Sequence, residues 1–422
     1  MGILGQTLRR SLLGMILAAA AASAEEPFRP EAGKFPPIEK AHTYQGELAF
    51  VDHANRRGSL RVQGPGIFRS TEPNPFALLP YGMVRFHGAP ADLRDIPLET
   101  IIHVTAFLPP DPKTSSVPVL PVDNKSRDAN HRRGVGVFPA ENHALLVEDE
   151  VSYCARTGQT WKLKEAEMKG QQGLVIGILE PATGGEKPVE QKLTFDHATR
   201  IWRGRERLTI AELAAEGHWP ADGRKTLGDQ PVRLNLCWKP TPDGIFLRYH
   251  IADLWLDETA AQQAAKMQKE AHKAFIRSRW MPGWVDAVDY GKFGRATVTV
   301  TLFGGMDPSL YADFRQGGQV FLNGVENTLK HTEAGSAGPS QTAAHGPIME
   351  VTRLPGEAPF GSSGIRVRFE TDLITEGIRP TRIIRIRPAS WTDVHLPREE
   401  YIDGNAGSLE ERFPTPAIFP RY

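Results

Sequence analysis

Two acid–imidazole pairs are the first residues of this 422-residue chain whose types and spacing could do chemistry. Asp52 is followed by His53, and Asp196 is followed by His197. An adjacent carboxylate and imidazole can supply metal ligands or a general acid and base. Neighbouring side chains on a strand point to opposite faces, so such a pair converges only in a turn. We interpret both as turn-forming aspartates beside exposed histidines, and we predict neither a catalytic residue nor a metal ligand.

Arginines near the C-terminal end form a second candidate group, in the run RPTRIIRIRP. Arg385 and Arg387 fall on one face of a predicted strand, Ile384 and Ile386 fall on the other, and Arg382 precedes them. Forked guanidinium donors recognise carboxylates, sulfates and phosphates. This face is therefore a candidate site for an acidic polysaccharide or a lipid head group. The alternative is a solvated sheet face whose arginines pair with nearby acids.

Aromatic residues near the predicted strands are a third group. Trp284 and Tyr290 lie in the segment GWVDAVDYGKF. Aromatic side chains exposed on the face of a small barrel stack on sugars or bases. The alternative is that they fill a barrel core, which also needs large aromatic side chains. With the three arginines, these two residues complete our set of candidate ligand-binding positions.

Cys154 and Cys237 are the only cysteines of the chain. In an oxidising compartment, two cysteines are first interpreted as a disulfide. Each lies in a strand-like segment, VSYCAR or LNLCWK, and neither is spaced like a metal ligand or a redox CxxC motif. We predict a bridge that closes a loop of 83 residues (237 − 154). Two separate buried thiols are the alternative, because a sequence does not give the distance between them.

Standard catalytic motifs do not occur in the sequence. It has no glycine-rich phosphate loop, HExxH zinc motif, nucleophile elbow or paired CxxC. Their absence weakens an enzymatic interpretation without excluding one, and we predict no cofactor.

The N-terminus has the features of a secretory signal. Arg9 and Arg10 precede the apolar run SLLGMILAAAAA, and small residues at 22–24 form a cleavage site before Glu25. This pattern predicts a signal peptide over 1–24 and a periplasmic or secreted mature chain without a transmembrane segment. The alternatives are a buried N-terminal helix or a retained anchor, although the run is short for a bilayer span.

Charge and composition restrict the partners. Without Arg9 and Arg10, the chain has 48 basic side chains (50 − 2) and 50 acidic ones. Such a balance provides no long-range attraction to nucleic acid, and we predict no nucleic-acid partner. Glycine and proline together make up about 18% of the residues, which favours short strands joined by turns.

One hairpin pattern occurs twice. Gly46, Val51 and Asp52 reappear as Gly283, Val288 and Asp289 at a constant offset of 237 residues (289 − 52). A second pattern links the first and middle parts of the chain. Its four residues in the first part are Phe86, Gly88, Leu93 and Ile96, and their counterparts are Trp202, Gly204, Leu208 and Leu213.

These repeats resemble small extracytoplasmic bacterial β-barrel domains of unknown function. The resemblance implies a mainly β fold of tandem OB-like or SH3-like barrels with one long spacer helix, and it implies no activity. The alternative is chance similarity among hairpins of an ordinary β-sandwich.

The predicted organisation follows from these patterns. It comprises a signal peptide over 1–24, a Pro-rich linker over 25–40, a β-barrel unit over 41–135, a second over 136–256, a spacer helix over 257–280, a third unit over 281–390 with a mobile insertion at 326–363, and a tail over 391–422. Asp257 is the predicted N-cap of the helix. The apolar stripe of this helix, which we predict to dock against a neighbouring unit, contains Ala260, Ala264, Met267, Ala271 and Phe275.

The leading functional interpretation is a non-enzymatic binding or scaffolding protein outside the cytoplasm, with an acidic glycan or another envelope protein as its partner. The alternative is an extracytoplasmic polysaccharide hydrolase or lyase, whose carboxylates would come together only in the fold.

Overall fold

The structure is a computed structural model, and it describes most of the chain. The described residues are 28–31, 33–53, 56–62, 73–107, 142–170, 172–182, 187–241, 244, 246–324, 331–332, 343–372, 378–392, 394 and 401–402. The predicted signal peptide lies outside these residues and stays a prediction. So do the boundary at 135/136 and most of the tail.

The first unit is a closed five-stranded barrel with one added strand. Its strands are β1 (His42–Asp52), β2 (Arg57–Arg61), β3 (Asn74–Phe86), β4 (Ala89–Ala91), β5 (Ile101–Phe107) and β6 (Asn142–Asp149). The barrel order is β1-β2-β3-β6-β5, with β5 pairing back to β1. Only β3 and β6 run parallel; the other pairs are antiparallel. A 3₁₀ turn at Leu93–Asp95, capped by Asp92, follows β4.

The second unit repeats this strand order. Its strands are β7 (Thr160–Lys169), β8 (Gln172–Glu180), β9 (Val189–Asp196), β10 (Arg200–Arg203), β11 (Glu206–Leu208), β12 (Gly223–Pro240) and β13 (Leu247–Trp255). The order β7-β8-β9-β13-β12 corresponds to that of the first unit, with β9 and β13 parallel. Thr194 and His250 are the single pair that joins β9 to β13. The second barrel is thus closed at one point only.

Two aspartates show how closely these units correspond. Helix α1 (Glu150–Thr157) follows the last strand of the first barrel, and α3 (Glu258–Arg279) follows that of the second. Asp149 and Asp257 cap these helices through Oδ1. The Oδ2 atom of Asp149 accepts the amide of His87, and that of Asp257 accepts the amide of Gly204. Each amide lies in the turn of a hairpin, which we call the outer hairpin: β3–β4 in the first unit and β10–β11 in the second. The same cap therefore joins helix to barrel in both units.

The third unit is a closed six-stranded barrel in which every pair is antiparallel. Its strands are β14 (Met281–Tyr290), β15 (Ala296–Phe303), β16 (Gln319–Gly324), β18 (Ala343–Arg353), β19 (Ser362–Thr371) and β20 (Ile383–Pro388), and a separate pair joins β17 (His331–Thr332) to β21 (Tyr401–Ile402). The mainly β fold of small closed barrels is confirmed. The third barrel does not share the parallel pairing of the first two.

The 237-residue repeat corresponds to a shared irregularity. A bulge shifts the register of β1 between Leu48 and Phe50, and one shifts β14 between Val285 and Ala287. A Cβ atom added at Gly46 would lie 2.5 Å from a carbonyl oxygen of the partner strand, and the same holds at Gly283. Glycine is therefore required two residues before each bulge, because the partner backbone approaches too closely for a side chain.

Four helices occur among the described residues, and the long one confirms the predicted spacer. They are α1, α2 (Ile210–Ala215), α3 and α4 (Pro308–Tyr311). The predicted docking stripe of α3 is partly wrong. Met267 is 64% exposed, whereas His272 and Ile276 are buried beside Phe275. Within the described chain, no helix combines the length and apolarity needed to cross a bilayer.

The segment predicted as a Pro-rich linker packs against the barrels from residue 28 onward, which corrects its interpretation as a linker. Phe28 lies 5.3 Å from the ring of Phe107, and Phe35 lies 4.3 Å from that of Trp284, centroid to centroid. Pro30 is buried as well. The segment lacks apolar periodicity because it is a strap that packs through single aromatic and proline side chains and ends in a 3₁₀ turn at Ile38–Lys40.

The predicted mobile insertion is also corrected. Residues 343–353 form β18, which pairs with both β16 and β19 and closes the third barrel. The composition of this stretch is rich in small residues, but its strand pairing supplies the hydrogen bonds that composition does not reveal. Residues 326–330 and 333–342 of the insertion lie outside the described residues.

The predicted disulfide is wrong, because both cysteines are free thiols. Cys154 lies in helix α1, not in a strand, and its thiol donates to Oε1 of Glu150 at 3.5 Å. Cys237 lies in β12 as expected. The segment VSYCAR was misassigned because Asp149 caps a helix there.

Candidate ligand-binding site

A cleft of about 440 Å³ opens where β9 and β13 meet in the second unit. We call it the closure cleft, after the single strand pair that closes this barrel. It is lined by Glu167, Lys169, Gln172, Gly173, Leu174, Thr194, Phe195, Asp196, Lys239, Pro240, Arg248 and His250. It lies between the β7–β8 turn and the β12–β13 connection. These are the loops beside which OB-like barrels bind their ligands.

Strand alternation directs the polar residues of β9 into the cleft. Leu193 and Phe195 belong to the barrel core, so Thr194 and Asp196 point outward. On the core side of the same sheet, the ring of Phe195 lies directly over Gly173. A Cβ atom at Gly173 would come within 2.0 Å of that ring, so only glycine permits this packing.

His250 is enclosed between two threonines. Its Nδ1 lies 3.0 Å from Oγ1 of Thr194, and its Nε2 lies 3.5 Å from Oγ1 of Thr199. Burial, followed by the charge of Lys239, lowers the pKa of His250 to about 4. His250 is therefore neutral at neutral pH.

The threonine hydroxyls are engaged with the backbone. Thr194 donates to the carbonyl of Tyr249 at 3.1 Å, and Thr199 donates to that of Ile251 at 2.8 Å. A nucleophilic hydroxyl needs to give its proton to a base, and these two give theirs to carbonyl groups. The Thr–His group therefore ties β9 to β13, and its geometry is not that of an activated nucleophile.

Asp196 forms the turn that the sequence predicted and also pairs with a lysine. Its Oδ1 accepts the amide of Ala198 at 2.8 Å, and its Oδ2 lies 2.7 Å from Nζ of Lys239. Burial raises the pKa of Asp196, but the hydrogen bonds from Lys239 and Ala198 outweigh it and lower the pKa overall. The neighbouring His197 is exposed, and Asp52 ends β1 before a turn.

The charged side chains of the closure cleft differ in whether they form salt bridges. Glu167 pairs with Arg224 at 2.9 Å, and Asp196 pairs with Lys239. Lys169 and Arg248 are exposed, and neither pairs with an acid in the part of the chain that the structure describes. The cleft therefore presents two available cations beside acids that already have partners, which is an arrangement suited to an anionic group.

The equivalent surface of the first unit is covered. His143 pairs with Ala77 across the parallel strands β3 and β6, as His250 pairs with Thr194. His143 is fully buried, and the side chain of Phe28 packs on the adjoining Phe107. Burial, with a smaller contribution from the charge of Arg29, lowers the pKa of His143 to about 3. In the part of the chain that the structure describes, no such segment covers the corresponding surface of the second unit.

The predicted arginine face is not open. Ile384 and Ile386 face the core as expected, but Arg385 and Arg387 are also buried, at 3% and 8% exposure. Arg385 donates to the carbonyl of Trp280 at 3.3 Å, and Arg387 donates to that of Trp391 at 2.9 Å. Arg387 also lies 4.5 Å from the ring centroid of Phe321. Because helix and tail pack over this face, the expectation of an exposed basic surface there is wrong.

The two nominated aromatics are separated. Trp284 is buried in an aromatic cluster with Tyr81 and Phe303. Tyr290 is 76% exposed at the end of β14, close to the fully exposed Phe293. Arg382 is half-buried ahead of β20. Trp284 thus fills a core, whereas ligand binding by Tyr290 stays a prediction.

Comparisons with known proteins do not place the chain in a family. No protein-family model matches the chain, and no match was found among curated proteins. Among the described residues, no group of three or more His, Cys, Asp or Glu side chains is placed to hold a metal ion. The candidate site therefore rests on its geometry.

Proposed function

We propose that this protein is an extracytoplasmic, non-enzymatic binding protein whose second unit holds an anionic ligand in the closure cleft. The observation that carries the proposal is that Lys169 and Arg248 have no acidic partner among the described residues, at a cleft whose acids are already paired. The ligand would bear carboxylate or sulfate groups, as an acidic glycan or an acidic segment of an envelope protein does.

The first and third units would act as the scaffold. Spacer helix α3 contacts both of them. Gln268 donates to Oδ2 of Asp95 at 2.9 Å, and Lys269 and Arg277 reach Asp307 and Asp313 in the third unit. A body joined in this way would hold the closure cleft in a fixed orientation.

The extracytoplasmic part of the proposal rests on the N-terminal sequence pattern. Expression with its own N-terminus in a Gram-negative host should give a periplasmic protein that begins at Glu25. A cytoplasmic product that keeps residues 1–24 would contradict it.

The binding part is tested with polygalacturonate, dextran sulfate and neutral dextran as immobilised probes. We expect the mature chain to bind a charged probe and to release it as salt rises, since exposed charge contacts are screened. The double variant K169E/R248E should lose at least about tenfold in affinity, equal to about 1.4 kcal/mol.

The matched control is K266E/R353E, which reverses two exposed cations outside the cleft. It should bind like the unmodified protein. Equal loss in both double variants would reduce the effect to net charge and contradict a site in the closure cleft. Release of new reducing ends from any of these glycans would support the hydrolase or lyase alternative instead.

A further inference from the structure

We propose that the ligand of the closure cleft is an extended polypeptide segment of a partner protein, carrying at least one acidic residue. This inference rests on the proposed function for the location and charge of the site. It adds the class of macromolecule, and it is drawn from how the same surface is used in the first unit.

The first unit binds a polypeptide at the corresponding place. Its outer surface over β3, β5 and β6 is covered by the N-terminal strap, residues 28–40, together with Trp284 and Phe303 of the third unit. The strap contains several prolines and ends in the 3₁₀ turn Ile38–Lys40. Phe28 packs on Phe107, and Phe35 packs edge-on against Tyr81 at 5.0 Å. The chain itself therefore shows that this barrel surface accepts a polypeptide segment that packs through single aromatic side chains.

The two surfaces correspond residue by residue at their centre. His143 is paired with Ala77 on its parallel neighbour and with Phe107 on its antiparallel neighbour. His250 occupies the same place, paired with Thr194 and Cys237. Both histidines are buried and have a lowered pKa, but within the described ranges only the surface around His143 has a polypeptide segment packed over it.

The strand edges favour a peptide over a glycan. In the first unit, three consecutive pairs join β3 to β6 before the strand bends, from Phe76–Asn142 to Leu78–Ala144. In the second unit, β9 is joined to β13 only at Thr194, so residues 189–193 pair with β8 alone among the strands that the structure describes. An edge with backbone amides and carbonyls facing away from its sheet can add a strand. A glycan cannot continue such a ladder.

The charge of the cleft selects among peptides. Lys169 lies at the end of β7, beside the β7–β8 turn, and Arg248 lies at the start of β13, one of the two strands that border the gap. A strand added beside residues 189–193 of β9 would lead into the cleft next to Arg248, and acidic residues on the bound peptide would pair with the two cations. A basic peptide would be repelled.

The test begins with a dodecapeptide display library selected on the mature protein and counter-selected on K169E/R248E. We expect the enriched sequences to carry acidic residues. The best peptide is then made in two forms, N-methylated at alternate residues in one phase or in the other. Strand addition uses the amides of one edge only, so one form should lose at least about tenfold in affinity and the other should bind normally.

Two results would overturn the inference. One is that no peptide is enriched over the counter-selection, and the other is that both N-methylated forms bind like the parent peptide. If polygalacturonate still binds in a way that depends on Lys169 and Arg248, the proposed function stands and only the peptide inference fails. If neither probe binds, both fail.

Discussion

Glu150 and His103 form a buried contact inside the first unit, with Oε2 and Nε2 2.8 Å apart. The other carboxylate oxygen, Oε1, accepts the indole N–H of Trp161, which belongs to the second unit, at 2.8 Å. One carboxylate thus joins two barrels through helix α1. Burial raises the pKa of Glu150, but the hydrogen bonds from His103 and Trp161 outweigh it and lower the pKa overall.

Removing this carboxylate should destabilise the protein strongly. Glu150→Ala leaves His103 and Trp161 without their buried partner, which costs about 3–5 kcal/mol. Urea unfolding at pH 7 measures the change. Glu357→Ala, at an exposed position, should change the free energy of unfolding by less than about 0.5 kcal/mol. Equal stability of the two variants would contradict the role of Glu150.

The same group gives a pH dependence of known sign. A carboxylate with a lowered pKa stabilises the fold above its unfolded pKa of about 4.3, and it loses that contribution as the pH falls below it. The difference in the free energy of unfolding between the unmodified protein and Glu150→Gln should therefore decrease as the pH is lowered from 5. A difference that grows on acidification would contradict the pKa direction.

The repeated helix cap gives a paired prediction. Asp149→Ala and Asp257→Ala each remove a helix cap and a bond to the outer hairpin, so each should cost at least about 1–2 kcal/mol. Asp149→Ala should cost more, because Asp149 also accepts a buried hydrogen bond from the side-chain amide of Asn235 at 2.8 Å. Asp222→Ala is the exposed control. If thermal unfolding shows that Asp222→Ala loses as much stability as the two cap variants, the shared cap is unimportant.

Buried histidines make the fold sensitive to acid. The pKa of His143 is lowered to about 3, and those of His250 and His272 are lowered to about 4. Below pH 6.5 the unfolded chain binds protons that the folded chain does not, so stability falls between about pH 6.5 and 4. His143→Gln should flatten this dependence. An unchanged slope in denaturant titrations at pH 7, 6 and 5 would contradict a neutral buried His143.

The two cysteines should titrate as thiols. Burial raises the pKa of Cys237 to about 11 and raises the pKa of Cys154 further, so few thiolates form at pH 8. We expect slow reaction with Ellman's reagent in the native protein and two rapid equivalents in urea without reductant. If no thiol reacts in urea, the two cysteines form a disulfide and the free-thiol assignment is contradicted.

The elements of the fold could be predicted from the sequence because their signals are local. Strand alternation identified the hairpin at Gly46 and its repeat at Gly283, and Asp257 identified the start of helix α3. Helix α1 was missed because Asp149 was not recognised as a cap. The strap was missed because Phe28 and Phe35 anchor singly, without the periodicity that sequence patterns reveal.

The candidate site could be predicted only in part. Asp196 was singled out by its neighbour His197, but its actual partners, Lys239 and His250, are distant in sequence and meet only when β12 and β13 pair. Arg248 carried a usable signal, since it is a charged residue within the apolar strand segment FLRYHIADLW. The buried state of Arg385 and Arg387 depends on packing by Trp280 and Trp391, which no strand pattern contains.

Hydrogen exchange of the mature protein with and without polygalacturonate tests the central claim most directly. A ligand in the closure cleft should protect residues 172–174, 194–196 and 246–250 and leave the hairpin that carries Tyr290 unchanged. Protection confined to that hairpin, with the closure cleft exchanging as in the free protein, would contradict the proposed site.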